Sequence, residues 1–213
     1  MPTTNATIRA RVRQDLHDED STAYRWTDAV LDRHILRAVN EYALHAPLEQ
    51  KTTIAATPAS RDLSIASLTN LIEVEAVEWP VGEFPPRRVG WSQWQTTITL
   101  DVVNAPSAAD NVYVFWTKMH TLDASTSTIP VAHEDIIAAG GAAYAALDWT
   151  SYAVNRINTG GDDVWGRYKA FGDERLRYFR AELVRIGRRN TVRQRRMFTT
   201  DAPSIFEQGR VKY

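Results

Sequence analysis

Few residues in this chain have both the type and the spacing that chemistry requires. The densest group is His133-Glu134-Asp135. An imidazole beside two carboxylates could serve as a general base or help to hold a hard cation. The same triplet follows Ile129-Pro130 and opens an apolar run. Carboxylates in the first turn of a helix favour its N-terminal partial charge, which accounts for the triplet without any reaction. His17-Asp18-Glu19-Asp20 offers oxygens that calcium could use, but lacks the alternate-position spacing and glycine of an EF-hand loop, so a solvated acidic turn is expected. Gly160-Gly161-Asp162-Asp163 has the glycines of a phosphate loop. Its two aspartates would repel the phosphate, and a helix C-cap followed by an N-cap is the better reading. His34, His45 and His120 are scattered, and no HExxH, GxSxG or Walker-type motif occurs. The chain has no cysteine, so it has no disulfide framework, thiolate nucleophile or thiolate metal site, as suits a reducing compartment. The expectation is a protein that is not an enzyme and uses no cofactor or metal.

Charge points to binding instead. The formal net charge is −1, yet Arg167 to Arg196 holds eleven Arg or Lys against Asp173, Glu174 and Glu182. The preceding residues are correspondingly acidic. A polar charge distribution of this kind favours ordered stacking or docking onto an acidic partner. The strongest local feature is Arg188-Arg189-Asn190-Thr191-Val192-Arg193-Gln194-Arg195-Arg196. Three readings apply: contact with nucleic-acid phosphates, bidentate pairing with carboxylates on a protein, or a solvated helix end. No recognition-helix signature accompanies the arginines, and the whole chain is not basic, which favours docking to protein. Met197, Phe198, Ile205, Phe206 and Tyr213 follow as apolar anchors in a stretch without sustained periodicity. Such residues either fold back on their own domain or order against a neighbouring chain.

The elements that position these groups can be read from periodicity. Ile8, Val12 and Leu16 place a first helix over residues 5–16, with Asn5 as its expected N-cap. Trp26-Thr27-Asp28 starts a second, with Thr27 capping, Trp26 as a hydrophobic staple, and Leu31, Ile35, Ala38, Val39 and Tyr42 on its buried face. Between about Lys51 and Leu122 the pattern changes to short β-branched or aromatic runs separated by Pro, Gly and Asn. This predicts an inserted antiparallel lobe of four or five strands. A helix over 133–152 carries Ala138-Ala139-Gly140-Gly141-Ala142-Ala143, small residues that let another backbone approach closely. A last helix over 162–189 presents Trp165, Tyr168, Leu176, Phe179, Leu183 and Ile186 as one stripe. The expected fold class is α+β: a bundle of about four helices (1–50 and 123–189), an inserted small antiparallel β lobe (51–122) and an extended C-terminal tail (190–213). Ile136 to Leu147, the longest apolar run, has twelve residues and is too short to span a bilayer. The opening Met1-Pro2-Thr3-Thr4-Asn5 lacks the regions of a secretory signal.

This order of elements resembles the head–tail adaptor (connector, or head-completion) proteins of tailed phages. The likeness is carried by Trp26-Thr27-Asp28-Ala29-Val30-Leu31 continuing through Ile35-Leu36-Arg37-Ala38-Val39-Asn40-Glu41-Tyr42. It extends to the β lobe, Ile129-Pro130 before an Ala-rich helix, and the long charged helix with its tail. The long β lobe departs from the smaller, nearly all-helical adaptors. The resemblance implies a virion protein assembled in the host cytoplasm as a homo-oligomeric ring, typically of twelve subunits, beneath the portal protein. Such a ring extends the DNA channel, passes DNA without sequence-specific binding and docks the next tail, stopper or nozzle protein. It also implies portal or neighbour docking through Arg188, Arg189, Arg193, Arg195, Arg196, Met197, Phe198, Ile205, Phe206 and Tyr213. The alternative is a nucleic-acid-binding module that uses the basic C-terminal helix.

Overall fold

The computed structural model describes residues 3–107, 110–153 and 163–194. Its architecture is α+β, with four α-helices and one curled, half-barrel sheet of six antiparallel strands. The helices are α1 (Asn5–Leu16), α2 (Asp28–His45), α3 (Glu134–Ala153) and α4 (Val164–Gln194). A 3-10 turn, Val131–His133, leads into α3.

Helix α1 covers the expected span, but its cap is Thr4 and not Asn5. Thr4 Oγ1 accepts the Thr7 N–H at 3.3 Å, and Thr7 Oγ1 accepts the Thr4 N–H at 3.0 Å. This is a capping box in which threonine replaces the usual Glu or Gln at the third position. Helix α2 starts after Thr27 as expected, but the Thr27 side chain makes no capping hydrogen bond. Trp26 is buried with Leu31 in the same core, where its ring meets Trp149 and Tyr168 edge-on at 5.8 and 6.0 Å.

Helix α3 is the central element, packed by α1 and α2 and by α4. Its paired glycines explain how three helices reach it. A Cβ on Gly140 would stand 2.9 Å from Phe179 Cε2 and 3.0 Å from Ala38 Cβ; one on Gly141 would stand 3.1 Å from Ile35 Cγ1 and 3.2 Å from Val12 Cγ2. The close approach expected from the small-residue run is therefore present, and it offsets a propensity cost of about 1 kcal/mol per glycine. Phe179, Leu183 and Ile186 of α4 complete this core. Trp165, expected on the same stripe, is instead exposed. It lies in the first turn of α4, well before Phe179, the first large side chain of the helix to be fully buried.

The strands are β1 (Leu48–Ala55), β2 (Asp62–Ser64), β3 (Leu71–Glu78), β4 (Arg88–Trp94), β5 (Thr97–Asp101) and β6 (Asn111–Lys118), in the sheet order β1-β6-β3-β4-β5-β2. There are six strands, not four or five, and the sheet begins at Leu48 rather than near Lys51. The extra one is β4, whose alternation is confined to Val89 and Trp91 and is lost over the exposed Ser92, Gln93 and Trp94. Alternate residues Val112, Val114 and Trp116 of β6 join Val74, Val77, Ile98, Leu100, Leu63, Ile65 and Leu68 in a second core, separate from the helical one. The other face carries Lys51 Nζ 3.6 Å from the Tyr113 ring centroid and the Arg88 guanidinium 3.8 Å from that of Phe115. No helix among the described residues is long and apolar enough to cross a membrane.

Candidate interaction surface

The arginine run predicted to dock continues α4 well past its last core contact. Ile186 is the last buried residue among the described side chains of the helix, and the helical backbone persists to Gln194, about 12 Å further at 1.5 Å per residue. Arg188 and Arg189 are exposed on this extension, and the backbone of Arg193 is helical. Arg195, Arg196, Met197, Phe198, Ile205, Phe206 and Tyr213 lie outside the described residues, as does Gly160-Gly161-Asp162.

The other sequence candidates resolve into structural roles. Glu134 and Asp135 occupy the first turn of α3, as the N-terminal-charge reading requires, while His133 belongs to the preceding 3-10 turn. Glu134 is buried; it accepts a hydrogen bond from Thr3 and pairs with Arg11 at 2.7 Å, and Arg11 also pairs with Asp135. His133 Nδ1 is 2.7 Å from the Tyr42 hydroxyl. Among the described residues no group of three or more His, Asp or Glu is placed to hold a metal ion. The acidic turn needs a correction, because Asp18 is buried and not solvated. Its carboxylate takes Arg13 Nη1 at 2.6 Å and the N–H groups of Arg25 and Trp26 at 2.7 and 3.3 Å. Glu19 through Arg25 stay exposed. This loop is therefore fixed at its base and presented to solvent.

A feature not read from the sequence lies between α2 and α4. Arg33, His34 and Arg37 of α2, Tyr144, Leu147, Asp148 and Ser151 of α3, and Leu176 and Arg180 of α4 enclose a concavity of about 530 Å³. The Arg37 guanidinium stacks 4.0 Å from the Tyr144 ring centroid. Tyr144 donates its hydroxyl to Glu41, which also takes Arg180 Nε at 3.3 Å. Arg33 reaches Asp148 at 3.3 Å. The lining thus holds three guanidinium groups against one carboxylate, with Glu41 at its edge. The sequence did hold a partial signal. Arg33 and Arg37 are four apart on one helix, and so are Tyr144 and Asp148 on another, which puts each pair on one face.

A polar seam runs from the end of α2 to the chain that leaves the sheet. His120 Nε2 donates to the Ala46 carbonyl at 2.9 Å, and its Nδ1 lies 3.0 Å from the Thr128 hydroxyl and 3.1 Å from the Thr128 carbonyl. The Tyr42 ring lies 5.2 Å from His120 and 5.6 Å from His133. Burial lowers the pKa of His34, His120 and His133 below its ordinary value, and pushes the Tyr42 hydroxyl up to about 12. For the histidines the folded state binds protons more weakly than the unfolded one. Their contribution is present above pH about 6.5 and is lost as pH falls through the lowered values. Tyr42 has the opposite sign, and its contribution fades as pH rises from about 10 through 12. Urea midpoints should therefore be level between pH 7 and 9 and decline between pH 6.5 and 5, before the carboxylates titrate. A midpoint unchanged down to pH 5 would show that these rings are not held neutral.

No protein-family model matches the sequence, and no curated protein matches it. Among solved structures, the chain is similar to one from the neck of an empty GTA particle, computed with C6 symmetry. The identity is 14%, the match covers 76% of this chain and 88% of the other, and the TM-score is 0.29. That score is below the level of a shared fold.

Proposed function

We propose that this chain is a non-enzymatic structural subunit of a tailed-phage virion, a head–tail adaptor. In this reading it assembles as a ring under the portal protein, extends the DNA channel and receives the next tail component. The observation that carries the reading is the C-terminal reach of α4, a 31-residue helix whose arginine-bearing end continues beyond the core it packs on. A helix end on which Arg188 and Arg189 are exposed is suited to bidentate pairing with carboxylates on a partner. The buried polar groups of the helical body fit the same reading, since Arg13, Asp18 and Glu134 are engaged in ion pairs that hold elements together.

The test is the mass and shape of the purified chain, alone and mixed with the portal protein of its own particle, by light scattering and negative-stain imaging. A ring in either condition is expected. Deleting residues 197–213 should leave the fold intact, as judged by circular dichroism and thermal unfolding, and abolish docking on the portal. Normal docking by the truncated chain would remove the tail from the mechanism. A chain that stays monomeric with and without the portal, yet binds DNA with an affinity that drops steeply with salt and on neutralising Arg193, Arg195 and Arg196, would favour the nucleic-acid module instead.

A further inference from the structure

We propose that the arginine-lined concavity between α2 and α4 receives the Glu19–Asp20 loop of a second copy of this chain, and that this contact closes the ring. The inference rests on the ring reading and supplies its subunit interface.

The donor is the exposed loop joining α1 to α2. Its shape is set from within. Asp18 anchors its base through Arg13 and two backbone N–H groups, and Asp20 Oδ1 accepts the Thr22 N–H at 2.9 Å and the Thr22 hydroxyl at 2.7 Å. The Asp20 carbonyl takes the Ala23 N–H at 3.1 Å. A loop already held in one conformation gives up little entropy when it docks. It presents Glu19 and Asp20 to solvent at its tip, with Tyr24 exposed behind them.

The acceptor is the concavity of Arg33, Arg37 and Arg180. Arg37 is oriented by the Tyr144 ring and Arg180 by Glu41, so two of the three guanidinium groups are held in place. Side-chain exposures of 65% for Arg33 and 57% for Arg180 leave donor positions open to an incoming carboxylate. Leu36, 56% exposed on the same helix between Arg33 and Arg37, offers an apolar partner to a residue such as Tyr24. Fork-shaped guanidinium groups meeting a carboxylate held by its own turn, as Asp20 is, give geometric specificity as well as attraction.

The two features lie on different flanks of the molecule, so they do not meet within one copy, and a single loop-to-concavity contact leaves a second loop and a second concavity free. The loop faces the side of α4 where Arg175 reaches Asp15, whereas the concavity faces the side where Arg180 reaches Glu41. Those two arginines are five residues apart, about 140° around the helix axis. A contact between two different flanks of the same body is heterologous and propagates from copy to copy until the rotation closes it.

Charge reversal provides the test. One variant carries Arg33→Glu with Arg37→Glu, and the other carries Glu19→Lys with Asp20→Lys. All four positions are exposed, so each variant should keep the wild-type circular dichroism, with a small loss in thermal stability where Arg33 leaves Asp148, Arg37 leaves the Tyr144 ring and Asp20 leaves Thr22; recovery in the mixture separates that loss from the interface. Each alone brings like charges together and should need about a hundredfold more protein to assemble by light scattering. Mixed in equal amounts, the reversed concavity meets the reversed loop and the two unaltered faces meet each other, so an alternating ring should form at wild-type concentrations. Either variant assembling as the wild type does, or a mixture that stays dissociated, would overturn the interface while leaving the ring reading intact. A wild-type chain that never forms rings, alone or on the portal, would overturn both.

Discussion

Replacing Asp18 by alanine is expected to lower the unfolding free energy by about 3–5 kcal/mol, the cost of stranding a buried charge. Asp18 and Arg13 are both buried, and their side chains meet at 2.6 Å. Arg13 also donates to the Trp26 carbonyl at 3.0 Å and to Asp28 at 2.7 Å, and its guanidinium lies 3.5 Å from the Tyr24 ring centroid. These contacts fasten the end of α1 to the start of α2. Without the Asp18 carboxylate, Arg13 keeps as an ionic partner among the described residues only Asp28, whose side chain is 58% exposed. The Arg25 and Trp26 N–H groups lose their acceptor at the same time. Asp18→Asn keeps the shape and one acceptor oxygen and should cost less, about 1–3 kcal/mol. Urea unfolding of the two variants separates the contributions. A loss below about 1 kcal/mol for Asp18→Ala would mean that water reaches this clamp and screens it. Because the clamp shapes the Glu19–Asp20 loop, the asparagine variant should also assemble more weakly than its stability alone predicts.

The helical half of the fold was legible because its cores are periodic. Ile8, Val12 and Leu16 on α1, and Leu31, Ile35, Ala38, Val39 and Tyr42 on α2, are the residues that pack. The glycine pair at 140–141 announced a close crossing, and the crossing is there. Three features were hidden for separate physical reasons. The α1 cap was missed because a threonine at position 7 does the work usually left to a longer Glu or Gln side chain. Strand β4 was missed because its register depends on pairing with β5, from Gly90 with Asp101 to Trp94 with Thr97, and not on its own alternation. The burial of Asp18 was invisible because its neighbours Glu19 and Asp20 are solvated. Nothing in an acidic run marks the one carboxylate that faces an arginine of the preceding helix. The α2–α4 concavity illustrates the same limit on a larger scale. Arg33 and Arg37 already share a face of α2, but Arg180 joins them only after three helices have packed. The basic end of α4, by contrast, needed no tertiary contact to be noticed, since five arginines in nine residues are visible as composition.

Truncating Phe179 to alanine should cost about 3–5 kcal/mol, because its ring is fully buried where α3 and α4 cross and the space cannot close. The ring meets Tyr144 edge-on at 6.4 Å and lies against the face of α3 that Gly140 leaves bare. This geometry makes a second, sharper expectation about the glycine. Gly140→Ala gains helix propensity, about 1 kcal/mol. Its new methyl would stand 2.9 Å from the Phe179 ring and 3.0 Å from Ala38 Cβ, closer than a packed core tolerates. The clash should win in the wild-type background and give a net loss of about 1–2 kcal/mol. In a Phe179→Leu background the shorter side chain withdraws from one of the two contacts. The same Gly140→Ala change should then be close to neutral. The coupling in this double-mutant cycle is expected at about 1–2 kcal/mol, within the range for residues in direct contact. Its sign is diagnostic: two core substitutions that each destabilise would together cost less than their sum. Additive losses would mean that α3 is held away from α4 by something other than this ring, and that the small residues at 138–143 serve the α1 and α2 side of the helix alone. A positive coupling places the tight crossing at the α3–α4 contact. That contact fixes the direction of α4, and the direction of α4 decides where Arg188 and Arg189 are carried beyond the core.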